Sequence, residues 1–225
     1  MHAAGSWPSV RVLAVGAHPD DVELGAGATL AKHAAAGSEV FILVLGTGAL
    51  SRKGASAADV AELKGQCMES AAILGAQAHV LAFPDQQFDT VSLLEIIRMI
   101  EEVVMTTRPD VVYTHHAGDL NVDHRLTALA VRTACRPVGQ RVPDLFAFEV
   151  PSSTEWGEPL RPSLFVDVTG EPLTKKMAAL TCFAGEMRSL PHPRSPDAIA
   201  ALARWRGATA GVETAEAFEV LREIR

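Results

Sequence analysis

Nowhere does this chain hold an apolar run approaching the roughly 18 to 20 residues that a bilayer-spanning helix needs. Its opening segment, MHAAGSWPSV, also lacks the cationic stretch followed by an apolar one that directs secretion. A cytoplasmic location without membrane insertion is therefore expected. Cysteine is scarce: Cys67, Cys135 and Cys182 are odd in number, widely spaced and set in helix-like patterns, which argues against a disulfide framework or a zinc knot and for reduced core residues. Positive charge is short as well, with 20 Lys and Arg against 27 Asp and Glu and a net charge of −7, so no basic stripe offers itself to nucleic acid. Aromatics make up only 5% of the residues, too few to suggest a lipid groove. No Ser/Gly/Pro-rich linker, internal repeat or low-complexity tract divides the chain, so one domain over residues 1–225 is expected.

What is present is a core. Hydrophobic residues are 48% of the 225, and they come in two kinds of pattern. Nearly continuous apolar runs at Val10 to Val15, Val40 to Leu45, Val80 to Phe83, Asp110 to Thr114 and Leu145 to Val150 suit strands buried on both faces. Between them lie helical stripes: Val60, Leu63, Cys67, Ala71 and Leu74 stop at Gly75, a natural left-handed cap, and Leu93, Ile96, Ile97, Ile100, Val103 and Val104 follow Ser92, which with Glu95 would form a capping box. Alternating strands and helices predict an α/β fold, a three-layer αβα sandwich around a Rossmann-like, mostly parallel sheet, with a ligand beyond the carboxyl ends of the strands. Residues 1–150 would form that core. Residues 151–225 read as a C-terminal extension completing the site: a loop, the short strand LFVDV, and helices over Leu173 to Glu186, Ser195 to Arg206 and Thr214 to Ile224, with Ser195-Pro196 as an N-cap and first-turn proline.

Two polar clusters follow strands. The first, A-H-P-D-D at 17–21, sets two carboxylates side by side where strand gives way to helix, and like charges repel there unless a cation or a chemical task offsets them. His18 and Asp21 can face one cation across the proline turn while Asp20 addresses what the cation holds. The second, THHAGDLNVDHR at 114–125, brings His115, His116, Asp119, Asn121, Asp123 and His124 to the same sheet edge. One Asp and two neutral His around an open position make a catalytic zinc set, with another divalent transition metal as the alternative. A carboxylate beside such an ion can take a proton from water and later deliver it to a leaving amine, a task that falls to Asp20.

The motifs GAHPDDVELGAGATL and HHAGDLNVDHR, and the stretch HPRSPDAIAALARWRGATAGVETAEAF, resemble the LmbE-like, or PIG-L, family of zinc-dependent de-N-acetylases over nearly the whole chain. The resemblance implies His18, Asp21 and His124 as zinc ligands and Asp20 as general base. It also implies a small-molecule substrate, an N-acetylglucosamine-type amino sugar or its conjugate. Where family members often read His-Pro-Asp-His, this chain reads Asn121-Val122-Asp123-His124; an amide can donate to a developing oxyanion but cannot act as an acid. Proton delivery is then left to Asp20, or to His116 paired with Asp119. An amidase acting on a thiol-sugar, nucleotide-sugar or lipid-linked conjugate is the alternative within the family, and a catalytically silent sugar- or nucleotide-binding domain the alternative outside it. A homo-oligomer is compatible with all of these.

Other polar residues have plainer readings. Asp123 can N-cap the helix that follows it as readily as it can steady a ligand. His33 and His79 suit packing or solvated positions, and His2 a tail. His192 and Arg194 can form an ordinary turn before a helix, although an arginine there also suits an anionic substrate group, and the resemblance tilts both towards substrate binding. Asp119 is placed with them. GAGAT at 25–29 fails the dinucleotide spacing, so its small residues more simply allow close helix packing. Loops at 46–54, 83–90 and 152–162 are expected to set specificity.

Overall fold

The computed structural model describes residues 9–49, 54, 56–138 and 142–225; His2 and residues 50–53 of the first specificity loop lie outside them. Five strands form the parallel part of one sheet: β1 (Arg11–Gly16), β2 (Glu39–Gly46), β3 (Gln77–Phe83), β4 (Val111–His115) and β5 (Asp144–Phe148). Two more, β6 (Leu164–Asp167) and β7 (Ala215–Arg222), complete the order β3-β2-β1-β4-β5-β7-β6, with β7 antiparallel to both neighbours. The chain therefore reverses its winding between β1 and β4. Their carboxyl ends diverge there, and a crevice opens.

Helices α1 (Asp21–Ala35), α2 (Ala57–Leu74) and α5 (Glu171–Thr181), with α6 (Pro196–Ala210), cover one face of the sheet; α3 (Leu93–Thr107) and α4 (Val122–Ala134) cover the other. Two apolar layers result. One gathers Val12, Leu30, Ile42, Leu74 and Phe218, the other Leu13, Leu43, Phe88, Ile100 and Val131. Among the described residues no helix is long and apolar enough to cross a membrane.

The small residues of α1 have a visible purpose. A Cβ on Gly25 would stand 2.3 Å from Phe148 Cδ2, so a larger residue there would push α1 off β5, and one on Gly27 would make a tight 3.3 Å contact with Lys176 Cγ. In the space so gained, the Lys176 ammonium donates to the Leu24 carbonyl (2.7 Å) and to Glu216 (2.7 Å). Glu216 in turn accepts the amides of Ala28 (3.1 Å) and Thr29 (2.7 Å). This buried pair ties the C-terminal extension into the backbone of the helix whose first turn carries the polar motif.

Several expectations hold locally. Gly75 closes α2 at φ 78°, and Ser195 caps α6 by accepting the Ala198 amide (3.1 Å) ahead of Pro196. Others require correction. Ser92 makes no side-chain cap to α3; the capping box belongs to α2, where Ser56 and Asp59 exchange bonds. The expected helix over Thr214 to Ile224 is β7. Its Ala and Glu content and the spacing of Ala215, Phe218 and Leu221 favour a helix locally, but β5 and β6 offer unpaired edges on either side, and pairing both outweighs that preference. α5 ends at Thr181, short of Glu186, in a run of turns.

Candidate metal centre

β1 ends at Gly16 and the chain turns through Ala17–Pro19 into α1. Asp20, the N-cap of α1, sits at φ 83°, a left-handed conformation that costs a non-glycine residue about 1–3 kcal/mol. Its side chain caps nothing, and so is left for the crevice. Asp21 points inward instead. Its Oδ2 accepts the His18 amide (2.8 Å) and lies 3.4 Å from His18 Nδ1, 3.3 Å from His124 Nε2 and 3.4 Å from His115 Nε2. One donor atom from each of His18, Asp21 and His124 falls within 4.8 Å of the others, a spacing one cation can bridge.

Behind each histidine stands a carboxylate. His18 Nε2 donates to Asp123 (2.9 Å), and His124 Nδ1 lies 3.2 Å from Asp119. These pairings leave Nδ1 of His18 and Nε2 of His124 turned to the cluster, the arrangement by which carboxylates orient metal-binding imidazoles. The carboxylates are themselves anchored. Asp123 also accepts the amides of Gln86 (2.6 Å) and Phe88 (3.0 Å), while Asp119 accepts the hydroxyls of Ser153 and Thr154 and the Asn121 amide (2.9 Å).

The electrostatics favour a cation. Burial opposes charge on His18, yet Asp123 and Asp21 together outweigh it and push its pKa up to about 10. Burial likewise opposes charge on His124, but Asp21 and Asp119 raise it to about 9. Asp21 is held well below the ordinary carboxylate range, against burial, by His124, and Asp119 is held low, again against burial, by His124, Ser153 and Thr154. Two protons thus gather where one divalent ion would supply the same charge. Among the described residues Asp21 Oδ1 is buried with no hydrogen-bond partner, a costly state for a carboxylate oxygen and one that a metal bond relieves. The donor set therefore fits a metal, of the borderline kind that accepts imidazole and carboxylate together.

A cavity of about 250 Å³ opens over this cluster, lined by His18, Asp20, His124, Asn121, Asp85 and Arg194, with Gly48, Gln86, Ser152 and Ser153 from the three expected loops. Asp20 is 1% exposed; burial raises its pKa and Arg194, 2.7 Å away, pulls it back, leaving it at about 7. Its carboxyl is thus poised to exchange a proton near neutrality. Asn121 is the N-cap of α4: its Oδ1 accepts the Asp123 amide (2.9 Å), so its Nδ2 is turned the other way, 3.5 Å from Gln86 Oε1.

Of the two readings of Asp123 the structure has the second: Asn121 caps α4 and Asp123 holds His18. Three other sequence assignments change. Asp119 does not line the cavity; it steadies His124. His116 neither lines the cavity nor pairs through its side chain with Asp119, since its Nδ1 meets Glu219 (3.0 Å) and its Nε2 the Glu158 carbonyl (3.0 Å). His192 stays outside as well, its Nδ1 accepting the Arg194 amide (3.1 Å). His33 packs in the core, 3.0 Å from the Tyr113 hydroxyl, and His79 lies within β3. One contributor had no assigned role. His115, fully buried, accepts the Ala17 amide at Nε2 (2.9 Å), stacks on His124 at 4.1 Å, and is kept neutral by burial, which lowers its pKa to about 4. Its position at the last residue of β4 was the available signal.

Residues 13–135 match the family profile described as PIG-L: GlcNAc-PI de-N-acetylase. The chain is 33% identical over 175 residues to the uncharacterized deacetylase YaiS of Escherichia coli K12, covering 75% of this chain and 88% of that one. Among solved structures it resembles GalB, the 4-carboxy-2-hydroxymuconate hydratase of Pseudomonas putida KT2440, at 25% identity and a TM-score of 0.79, covering 96% and 98% of the two chains. It shares its fold with the N,N'-diacetylchitobiose deacetylase of Pyrococcus horikoshii (TM-score 0.75, 19% identity, 95% and 84% covered).

Proposed function

The chain belongs to the PIG-L family and is a deacetylase, and from that premise we propose that it removes the acetyl group from an N-acetylglucosamine-type amino sugar or its conjugate, with zinc held by His18, Asp21 and His124. The observation that carries this reading is the buried Asp21 Oδ1, unpartnered among the described residues, beside two carboxylate-backed imidazoles, directly under a cavity that Asp20 also faces. Zinc bound there would polarise the amide carbonyl and bring the pKa of water down towards ~7.

The remaining work falls to the chain's own groups. Asp20, with a proton affinity near neutrality, takes one proton from the attacking water as its oxygen bonds to the carbonyl carbon. Asn121 Nδ2, fixed by the cap bond of its own carbonyl, donates to the carbonyl oxygen as that oxygen gains charge. The proton on Asp20 then passes to the nitrogen as the carbon–nitrogen bond breaks, giving acetate and a free amine. With His116 turned away, Asp20 serves as both base and acid. The companion fold of a hydratase shows that such a scaffold can direct water at more than amides, so the test must read the product. A panel of N-acetylated amino sugars, nucleotide sugars and glycosides, assayed for acetate with and without zinc, should give zinc-dependent release from at least one glucosamine derivative. Zinc-replete protein that releases no acetate from any of them would overturn the reading.

A further inference from the structure

The arginine in the cavity meets the protein's own oxygens. Arg194 Nη1 donates to Asp20 Oδ2 at 2.7 Å, its Nε donates to Ser152 Oγ at 2.8 Å, and Glu186 lies 4.0 Å from Nη1. A carboxylate or phosphate on a ligand would have to displace Asp20 while being repelled by Asp20 and Glu186, so this guanidinium is poorly placed to recognise an anion. It is well placed to hold Asp20.

Asp20 needs such a hold. Its left-handed backbone turns the side chain away from the usual capping bond, and among the described residues Arg194 is the only side chain that hydrogen-bonds to it. Without that bond the carboxylate would be free to rotate about its side-chain torsions in a polar cavity. Arg194 itself stands on a stiff mount. The next residue, Ser195, is 1% exposed and caps α6; the Ser195 amide donates to the His192 carbonyl (2.9 Å), and the Arg194 amide to His192 Nδ1 (3.1 Å). The other anchor, Ser152, also has a left-handed backbone, at φ 77°. The guanidinium thus spans two residues in a conformation that only surrounding structure sustains. A planar fork with donors in fixed directions suits this double contact, which an ammonium cannot reproduce.

We propose that Arg194, braced by Ser152, is the positioning residue that fixes the Asp20 carboxylate by its Oδ2 and leaves Oδ1 as the oxygen that exchanges protons with water and the amine. The inference rests on the reading of Asp20 as the general base. Both Arg194 and Ser152 lie beyond residues 13–135, the span matched by the family profile, so this hold comes from a part of the chain that the profile does not reach.

The experiment compares Arg194→Met, Arg194→Lys, Arg194→Ala, Ser152→Ala and Asp20→Asn, each loaded with zinc and checked for bound metal, on the best substrate of the acetate-release panel. A misplaced base costs on the order of 10²-fold in rate, so Arg194→Met should lose about that much in kcat with KM unchanged. Ser152→Ala should move kcat in the same direction by less, and Arg194→Lys should keep part of the rate. Millimolar guanidinium should restore part of the kcat of Arg194→Ala, a rescue that a folding defect would not show. A raised KM at unchanged kcat would instead make Arg194 a substrate-binding residue and overturn the proposal, as would Arg194 variants that turn over at the wild-type rate while Asp20→Asn does not. Turnover by Asp20→Asn at the wild-type rate would remove the base reading itself, an outcome distinct from either.

Discussion

Replacing Lys176 by Met probes how the C-terminal extension supports the helix that begins at Asp21. Lys176 is 4% exposed and Glu216 5% exposed, and their 2.7 Å contact is the only one that gives Glu216 a counter-charge among its described partners. The Ala28 and Thr29 amides remain to solvate the carboxylate in the variant, but its charge stays buried, and the Leu24 carbonyl loses its donor as well. Breaking a buried pair from one side costs about 3–5 kcal/mol. For a chain of this size each kcal/mol moves Tm by about 2–4 °C, so thermal unfolding followed by circular dichroism should show a fall on the order of 10 °C. The double variant Lys176→Met/Glu216→Gln, which buries no unpaired charge, should recover a large share of it. Because the broken bonds attach to the helix that carries Asp21, the single variant should also bind zinc more weakly. A fall in Tm of under ~2 °C, equivalent to less than about 1 kcal/mol, would refute the claim that this pair secures α1.

Removing the carboxylates behind the histidines should act on the metal. Asp119→Asn and Asp123→Asn should each weaken zinc affinity about 10- to 100-fold, measured by chelator competition, whereas undiminished affinity would mean that neither orients a ligand. His33 offers a test of pH dependence far from the cavity. Burial, aided by Lys32, lowers its pKa from 6.5 to about 4, so the unfolded chain binds the proton more tightly. Stability should therefore fall as pH drops through 6.5 towards 4, by about 3 kcal/mol in all at ~1.36 kcal/mol per tenfold change in proton affinity. His33→Phe should flatten that part of the urea-denaturation profile, and an unaltered slope would locate the acid sensitivity elsewhere.

Much of this arrangement is legible in sequence where local pattern and tertiary demand agree. The continuous apolar runs of β1, β2 and β4 are buried on both faces, and the polar motifs follow β1 and β4 to the point where the winding reverses. The metal-facing residues His18, Asp21 and His124 come from those motifs. What pattern alone does not convey is direction. His115 and His116 are adjacent, and along an extended chain adjacent side chains take opposite sides; one stacks on His124 and the other meets Glu219 on the far side. Asn121 and Asp123 both suit a helix cap, and only the position of His18 decides that Asp123 is needed elsewhere. β7 was hidden for a different reason. Its residues favour a helix by composition, and the unpaired edges that claim it lie some seventy residues before it at β5 and fifty at β6.

The central claim is that Asp20 works on water beside a metal held by His18, Asp21 and His124. Its most direct test is acetate release by zinc-loaded wild type and Asp20→Asn, measured side by side on one N-acetylated amino sugar with bound zinc quantified in both. Equal zinc content and loss of acetate release in the variant are expected. Acetate release by Asp20→Asn at the wild-type rate, with zinc bound, would contradict the claim.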